Sequence, residues 1–293
     1  MTQFRPFYKQ VQAHYDLSND FFALFLDSSL TYSCAYFARP EMSLHEAQLA
    51  KIDLSLGKCD LPRKAESSNA AARMKLLDIG CGWGATARRA VENFNVDVIG
   101  LTLSKEQHAL ITQSVANTAN HIDFRLQGWE EFTEPVDRII SIGAFEHFRT
   151  ERYEAFFTRA FSLLPRGGRM MLHTIVQPDI NELRQRGIVV DHEAVMFGKF
   201  ICKNIFPGGQ LCSPQVITRH AANAGFTLAH SESLRLHYAR TLGMWADNLR
   251  ARREQAITIT NKDTYEMYMH YLTGCAHYFR TGHNDVMQFT LQK

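Results

Sequence analysis

Residues 76–84 read Leu-Leu-Asp-Ile-Gly-Cys-Gly-Trp-Gly, and this stretch decides the fold. Its first four residues predict the end of a buried strand, and Ala85-Thr-Ala-Arg-Arg-Ala90 predicts a helix. Glycines at 80, 82 and 84 let the backbone approach a ligand closely and leave N–H groups at the helix N-terminus free to bind it. The stretch therefore predicts a strand–turn–helix unit at a binding site, with a tight packing turn as the alternative.

The glycine spacing differs from that of dinucleotide-binding proteins. Their G-x-G-x-x-G pattern places the third glycine later, and an acidic residue follows at the end of the next strand to bind ribose hydroxyls. Here that position reads Gly100-Leu-Thr-Leu-Ser104, without an acid. A conventional NAD site is therefore disfavoured, and another group, such as Gln107, must bind the ribose. Ser104-x-x-Gln107 also fits a capping box, so Gln107 equally suits closing its own helix.

Composition restricts the class of protein. The chain has 293 residues, 45% of them apolar and 21% charged, which suits one large globular domain or a core with a cap. A net charge of +2 gives no argument for nucleic acid. No secretory signal or membrane-spanning run is visible. Six cysteines without a C-x-x-C pair indicate reduced thiols and a cytoplasmic protein. The histidines lack metal-binding spacings, so no metal site is predicted.

Strand and helix patterns alternate through the middle of the chain. The predicted strands are 74–79, 96–101, 122–126, 138–142 and 169–176. The predicted helices between them are 85–93, a segment from 104, and 151–164. Near-continuous apolar strands between amphipathic helices predict a parallel sheet covered on both faces.

The flanking regions follow a different pattern. Residues 7–60 are predicted helical, with a capping box at Ser43–Glu46 opening a helix that ends at Gly57. Residues 62–73 are predicted to be a mobile connection, and 177–212 an irregular insertion over the sheet. A helix is predicted to begin at Ser213-Pro214, with a capping hydroxyl, and to end at Gly225. The remaining predictions are strands at 226–236 and 286–291 and helices at 239–258 and 263–281.

Ligands of an open parallel sheet bind beyond the carboxyl ends of its strands. The candidates at these ends are Gly80 to Gly84, Thr102 to Gln107, Trp129, Glu130, Glu146, His147 and His173. Each has an alternative. Trp129 suits stacking on a purine or simple core packing, and Glu130 could be a solvated surface charge. Glu146 and His147 could open the next helix, and His173 could be a hydrogen-bonded core residue.

Several further stretches carry a family resemblance. Asp78-x-Gly80-x-Gly82-x-Gly84 resembles the first motif of S-adenosylmethionine-dependent methyltransferases. Over nearly its whole length the chain resembles mycobacterial mycolic acid cyclopropane synthases and related mycolate methyltransferases, and more distantly bacterial cyclopropane-fatty-acid synthases. The stretches that carry this resemblance are 14–22, 30–37, 76–84, 98–104, 143–148, 205–211, 237–242 and 268–275. The connection at 62–73 is longer than this family usually has.

The resemblance implies the fold class and the domain organisation. The expected fold is α/β: a Rossmann-like class I methyltransferase with a mostly parallel seven-stranded sheet, a helical N-terminal segment and helical cap insertions. We expect a single domain over 1–293. Its parts are a helical N-terminal cap (1–60), a cofactor-binding core (74–176), a lipid-site insertion with helices (177–283) and a C-terminal strand (284–293).

The resemblance also implies the cofactors and their residues. S-adenosyl-L-methionine is expected to be held by Tyr32, Ser33, Asp78, Gly80, Cys81, Gly82, Gly84, Thr102, Leu103, Ser104, Gln107, Trp129 and Glu130. A bicarbonate ion is expected to act as base, positioned by Cys34, Glu146, His173, Tyr238 and the backbone of Ile142. The expected substrate pocket contains Tyr15, Phe145, Phe200, Tyr271 and Cys275.

The implied reaction transfers a methyl group to a cis double bond of a long acyl chain, and proton loss then closes a cyclopropane. This chemistry needs close alignment of the reactants and a dry pocket, because water would trap the cation. Aromatic faces stabilise a cation without attacking it. Tyr15, Tyr32, Phe145, Tyr238 and Tyr271 suit that role.

Two alternatives to the cyclopropane reaction remain. Relatives that make methyl-branched hydroxylated products share nearly all these motifs, because water capture branches from the same cation. A non-catalytic acyl-chain-binding protein is the third reading. Basic residues at 149–186 and at Arg250, Arg252 and Arg253 suggest docking to an acyl-carrier protein or an anionic membrane surface. A solvated face balanced by neighbouring acids is the favoured reading of that charge.

Overall fold

A computed structural model describes residues 4–6, 18–66, 72–115 and 121–293, with the backbone alone at 114 and 115. Residues 7–17 of the predicted N-terminal helical region, Tyr15 among them, lie outside the described residues. So does 67–71, the middle of the predicted connection. In the described part of that connection, Arg63 forms a β-bridge with Phe94 and Lys64–Glu66 is a 3-10 turn.

The described residues contain one seven-stranded sheet. Its strands are β1 (Met74–Ile79), β2 (Val96–Thr102), β3 (Ile122–Leu126), β4 (Arg138–Ile142), β5 (Arg169–Val176), β6 (Thr227–Ser233) and β7 (Asp285–Gln292). Their order is β3-β2-β1-β4-β5-β7-β6. The first five strands are parallel, and β7 runs antiparallel to β5 and β6. The strand order reverses between β1 and β4, and such sheets bind ligands at this switch point.

Helices cover both faces of the sheet and build a separate cap. They are α1 (Asn19–Ala23), α2 (Leu44–Lys58), α3 (Ala85–Asn93), α4 (Lys105–Val115), α5 (Tyr153–Leu163), α6 (Ile180–Gln185), α7 (His192–Phe200), α8 (Pro214–Asn223), α9 (Arg235–Ala251), α10 (Arg253–Ile259) and α11 (Lys262–Thr281). No helix in the described ranges combines the length and apolar composition needed to cross a bilayer.

The core has three parts. Ile52 of α2 and Ala87 of α3 pack on one face of the sheet with Ile140. Phe156 of α5 and Ile217 of α8 belong to the cluster on the other face. The third cluster lies in the cap, where α1 with the turn after it, α9 and α11 contribute large aromatic side chains, among them Phe21, Phe22, Phe25, Trp245 and Tyr268. Burial on both faces explains why the inner parallel strands are largely apolar, whereas β3, at the edge of the sheet, alternates apolar and polar residues.

The predicted strands β1, β3, β4 and β5 have the expected bounds, and β2 extends one residue further. The capping box at Ser43 and Glu46 is formed. The helical prediction for 7–60 is wrong for residues 24–43, which form turns and extended chain. Side chains satisfy the backbone there instead: the Asp27 carboxylate accepts from the N–H groups of Ser29 and Thr31, both at 3.0 Å.

The prediction of an irregular insertion at 177–212 is also wrong. The side chains of Asp179 and Asp191 cap α6 and α7 by accepting backbone N–H bonds, and a π-helical turn, Ile201–Ile205, follows. The polar residues therefore start helices. Pro214 begins α8 as predicted, but the Ser213 hydroxyl makes no capping bond.

The C-terminal half contains smaller departures. The predicted helix at 239–258 is two helices, α9 and α10, which meet at Arg252. The predicted strand at 226–236 is shorter, because the Leu234 N–H bonds the Val286 carbonyl and α9 begins at Arg235. β6 lies within the predicted insertion 177–283 yet belongs to the sheet.

Candidate active site

The turn after β1 is the centre of the candidate site. Gly80 and Gly82 both have positive φ, +83° and +53°. A Cβ on Gly80 would lie 2.4 Å from the Cβ of Ala144, so packing alone requires a glycine there. A Cβ on Gly82 would meet no described atom within 4 Å, because this residue faces a cavity. Gly84 is the N-cap of α3 and makes no side-chain capping bond, so the first N–H groups of α3 lack a side-chain acceptor from that cap.

We call this space the glycine-loop cavity. The predicted cofactor residues that line it are Tyr32, Ser33, Asp78, Gly80, Cys81, Gly82, Thr102, Leu103, Gln107, Trp129 and Glu130. Ile142, expected at the base site, lines it as well. Two predicted residues do not line it. One is Gly84, where an added Cβ would lie 2.7 Å from the Phe124 ring. The other is Ser104, whose hydroxyl oxygen caps α4 by accepting from the Gln107 N–H at 3.2 Å.

Only the Ser104 half of the predicted capping box forms, because the Gln107 side chain bonds elsewhere. Its Oε1 accepts from the Thr102 hydroxyl at 2.9 Å instead of reaching the Ser104 N–H, which bonds the Thr102 hydroxyl oxygen at 3.1 Å. This bond leaves the amide NH2 of Gln107 as the end that can donate to a ligand. Capping by Ser104 and ligand binding by Gln107 are therefore compatible.

Trp129 and Glu130 close one side of the cavity. The Trp129 ring packs edge-on against Phe156, with centroids 5.3 Å apart, while it lines the cavity. Glu130 is not a solvated surface charge. Its Oε1 accepts from Arg152 at 2.7 Å, and the two side chains are only 5% and 10% exposed. Burial raises the pKa of Glu130 and Arg152 opposes that effect.

Lys51 of α2 is a fully buried cation in the wall of the glycine-loop cavity. Its Nζ donates to the Ser33 hydroxyl oxygen at 2.9 Å. Within the described part of the chain, no carboxylate lies close enough to Lys51 to form an ion pair. Burial lowers the pKa of Lys51 to about 8, and nearby Cys34, Asp27 and Asp78 oppose that shift.

Asp78 is the acidic counterpart of Lys51 in the same wall. It is buried at the end of β1, and its Oδ2 has no hydrogen-bond partner among the residues described. Burial raises its pKa to about 7, against the opposing effect of Lys51. The glycine-loop cavity thus presents a buried ammonium and a buried carboxyl group that do not pair with each other.

A second, mostly apolar cavity of about 510 Å³ lies between the sheet and the cap. That volume falls in the range of about 300–1,000 Å³ typical of ligand pockets. We call it the apolar cavity. Tyr271 and Cys275 line it as expected, with Phe197, Ile201, Phe206, Leu242 and Phe279. The two cavities share Tyr32, Ser33, Gly143 and His147, so ligands in them would meet at these four residues.

Four predicted base-site residues line the apolar cavity: Cys34, Glu146, His173 and Tyr238. Glu146 Oε1 accepts from the Ile175 N–H at 2.7 Å, whereas its Oε2 is buried without a partner in the described chain. Nε2 of His173 is also buried without a partner in the described chain, while its Nδ1 contacts Gln288. Burial raises the pKa of Glu146 and of the Cys34 thiol, and lowers the pKa of His173.

Two predicted pocket residues lie elsewhere. Phe145 stacks on Tyr153 in the core beneath α5, with centroids 4.4 Å apart, because the 3-10 turn at Phe145–His147 directs it away from both cavities. Phe200 lies against His270 outside the cavity wall, with centroids 4.7 Å apart. His147, whose pKa burial lowers to about 4, sits at the junction instead.

Lys51 and Gln288 are buried polar residues that the sequence motifs miss. A signal for Lys51 exists, since it lies four residues after Ala47 and four before Ser55, all on the buried face of α2. Gln288 has no comparable signal. Its contact with His173 follows from the pairing of β5 with β7, which the sequence does not reveal.

The fold and the two cavities define a Rossmann-like class I S-adenosylmethionine-dependent methyltransferase. The family model for mycolic acid cyclopropane synthetase matches residues 2–289. The chain therefore belongs to the mycolic acid cyclopropane synthetase family, as the sequence motifs predict.

Similar proteins cover the whole chain. Cyclopropane mycolic acid synthase 3 of Mycobacterium tuberculosis is 53% identical, over 100% of this chain and 99% of the relative. The structure of the cyclopropane synthase MmaA2 from Mycobacterium tuberculosis superposes with a TM-score of 0.94 at 50% identity, covering 98% and 99% of the two chains. The mycolic acid cyclopropane synthase CmaA1, complexed with SAH and CTAB, gives a TM-score of 0.93 at 52% identity and 99% coverage of both chains.

Proposed function

We propose that this protein transfers a methyl group from S-adenosylmethionine to a cis double bond of a long, mycolic-type acyl chain, and that proton loss closes a cyclopropane. The observation that carries the proposal is the junction of the two cavities at Tyr32, Ser33, Gly143 and His147. An alkene is a weak nucleophile, so donor and acceptor must be held in close alignment. A cavity with buried charged groups in its wall, which shares four lining residues with an apolar cavity, suits that requirement.

The charges of the glycine-loop cavity suit the zwitterionic amino-acid end of the cofactor. Lys51 and the hydroxyl of Ser33 complement a carboxylate, and the unpartnered oxygen of Asp78 complements an ammonium group. Because Lys51 donates to the Ser33 oxygen, the Ser33 hydroxyl proton is left to donate into the cavity. Trp129 and Gln107 suit the adenine and the ribose. When bound, the cofactor supplies an electrophilic methyl group.

We expect Lys51→Met to lower the affinity for S-adenosylhomocysteine by about 10- to 100-fold, the size of one lost hydrogen bond to a charged group. Binding of 5′-methylthioadenosine, which lacks the amino-acid end, should be unchanged. Titration calorimetry with both ligands measures the difference. The matched control is Lys262→Met, since Lys262 is exposed at the start of α11 and lines neither cavity. Equal losses for both ligands would contradict the role of Lys51.

The apolar cavity suits an acyl chain and a cationic transition state. The Tyr32 hydroxyl donates to the Tyr271 hydroxyl oxygen at 3.0 Å. The Tyr32 hydroxyl proton is therefore used, and its aromatic ring is the part available to a ligand at the junction. Tyr32 also lies among Phe22 and Trp245, each with its centroid 5.3 Å away. This aromatic wall excludes water and stabilises positive charge without a nucleophile.

Bicarbonate fits the base site by its chemistry. It carries acceptor oxygens and one hydroxyl, which match the two buried, unpartnered atoms Nε2 of His173 and Oε2 of Glu146. Bound there, it would supply a base near the new methyl group. Burial raises the pKa of Cys34 and keeps its thiol protonated, so this side chain is not the group that accepts the proton.

The segment 177–283 supplies much of the apolar wall, which supports its proposed role as the lipid-site insertion. CTAB, bound to the related CmaA1, has a long alkyl chain of the kind this cavity would hold. Docking to a carrier protein or membrane has weaker support. Arg250 and Arg253 pair with Asp247 and Glu254, and Arg252 bonds the Leu24 carbonyl.

The direct test is transfer of labelled methyl from S-adenosylmethionine to an unsaturated acyl substrate by purified protein. Label in the lipid is the expected result. The alternative, an acyl-binding protein without catalysis, predicts lipid binding with neither label transfer nor stabilisation by S-adenosylmethionine.

A further inference from the structure

Three side chains lie in one row across the last strands of the sheet. His173 of β5 is directly opposite Gln288 of β7, and Gln288 is directly opposite Glu232 of β6. Directly opposed residues share one face of a sheet and their side chains touch. His173 and Gln288 are both buried, and α2 lies over them with Ser55 and Lys58.

The orientation of the Gln288 amide follows from its neighbours. The Lys58 ammonium contacts the Glu232 carboxylate and Oε1 of Gln288. An ammonium group can only donate, so the oxygen of the amide must face Lys58. The contacts of Ser55 independently indicate the same orientation of the Gln288 amide. Its hydroxyl proton is used on the Lys51 carbonyl at 2.8 Å, so its oxygen accepts from Nε2 of Gln288 at 3.0 Å.

With the amide so fixed, its second N–H points at Nδ1 of His173, 3.1 Å away. Nδ1 must therefore be an acceptor. A neutral imidazole that accepts at one nitrogen carries its proton on the other. Burial and the nearby Lys51 and Lys58 lower the pKa of His173, which keeps the ring neutral.

We infer that Gln288, oriented by Lys58, is a positioning residue that fixes His173 in the tautomer protonated at Nε2. His173 then presents a hydrogen-bond donor to the apolar cavity, where Nε2 is buried without a partner in the described chain. A ring in this state cannot accept a proton at Nε2. Its use in the reaction rests on the proposed function: His173 holds the anion that accepts the proton, and is not itself the base.

The tautomer can be measured on the wild-type protein without any assay of activity. In protein labelled with 15N-histidine, long-range proton–nitrogen correlations distinguish protonated Nε2 from protonated Nδ1 at neutral pH. The His173 signals are assigned by their loss in His173→Gln. We expect Nε2 to be protonated. A spectrum with the proton on Nδ1 would overturn the inference whatever reaction the protein catalyses.

The substitution Gln288→Glu replaces the donor with an acceptor of the same shape, beside the same Lys58. We expect the His173 proton to move to Nδ1, and kcat to fall by about 100-fold, the typical cost of losing one donor to a charged group in an active site. Affinity for S-adenosylhomocysteine should not change. Gln292→Glu adds the same charge to the end of β7 and should alter neither the tautomer nor kcat.

The outcomes separate two failures. If Gln288→Glu leaves the His173 tautomer unchanged, the role of Gln288 is wrong. If the wild-type protein has the expected tautomer but transfers no methyl group to any acyl chain, the proposed function fails and the positioning of His173 stands.

Discussion

The substitution Gly82→Val is expected to abolish binding of S-adenosylhomocysteine while the protein remains folded. A Cβ at this position meets no described atom within 4 Å, so the new side chain would extend into the glycine-loop cavity. There it would occupy the space in which the backbone must approach the cofactor. Titration calorimetry should detect no binding, a loss of at least about 1,000-fold if the wild-type affinity is micromolar.

Backbone strain must be separated from this steric effect, because Gly82 has φ +53° and a branched residue is strained there. Gly167 offers a matched control. It has φ +79°, and a Cβ on it would also meet no described atom within 4 Å, but it lies in the turn before β5, away from both cavities. Gly167→Val should lower the melting temperature to a similar extent and leave binding intact. Wild-type affinity in Gly82→Val would refute the cofactor role of this turn.

The second large effect is expected for Glu146→Gln, which should lower kcat by about 100-fold or more, the usual contribution of a group that takes part in proton transfer. Glutamine keeps the Oε1 that accepts from the Ile175 N–H, so the local fold should persist. The substitution removes the charge and proton-accepting ability of the unpartnered Oε2. Affinity for S-adenosylhomocysteine should be unchanged, because Glu146 does not line the glycine-loop cavity.

The pH dependence of the free energy of unfolding provides a second, independent test of Glu146→Gln. Burial raises the pKa of Glu146 in the folded protein, so its ionisation destabilises the fold as pH rises above the unfolded value of about 4.3. Glu146→Gln should therefore be as stable as wild type or more stable at pH 8, with a weaker loss of stability between pH 5 and 8. Glu182→Gln, on α6, is the control and should retain full kcat. An unstable but fully active Glu146→Gln would contradict the assignment on both counts.

The parallel half of the fold could be predicted from the sequence because most of its strands are largely apolar runs ended by glycine or polar residues, and β3 alternates apolar and polar residues. The bounds of β1 and β4, for example, follow from the pattern alone. The cap could not be predicted in this way. At Asp179 and Asp191 the sequence is polar because these residues cap helices, and composition does not distinguish such caps from loops.

Site residues could be predicted where they lie just after the ends of strands. They could not be predicted where tertiary contacts determine the direction of the side chain. Eleven of the thirteen predicted cofactor residues line the glycine-loop cavity. The order of the strands brings nine of them to one edge of the sheet, and Tyr32 and Ser33 come from the non-helical segment 24–43. Phe145 is directed into the core by a 3-10 turn that the sequence does not reveal. Gln288 depends on the pairing of β5 with β7, strands separated by more than a hundred residues along the chain.

The central claim is that a methyl donor in the glycine-loop cavity faces an alkene in the apolar cavity, and that a proton is then removed from the transferred methyl. It is tested most directly by mass spectrometry of the lipid product formed from S-adenosylmethionine carrying a fully deuterated methyl group. Ring closure predicts that the lipid gains one carbon and that one deuterium of the methyl group is lost. A product that keeps all three deuterium atoms and also gains a hydroxyl group would show capture of the cation by water instead. A lipid that gains no deuterium at all would contradict the account.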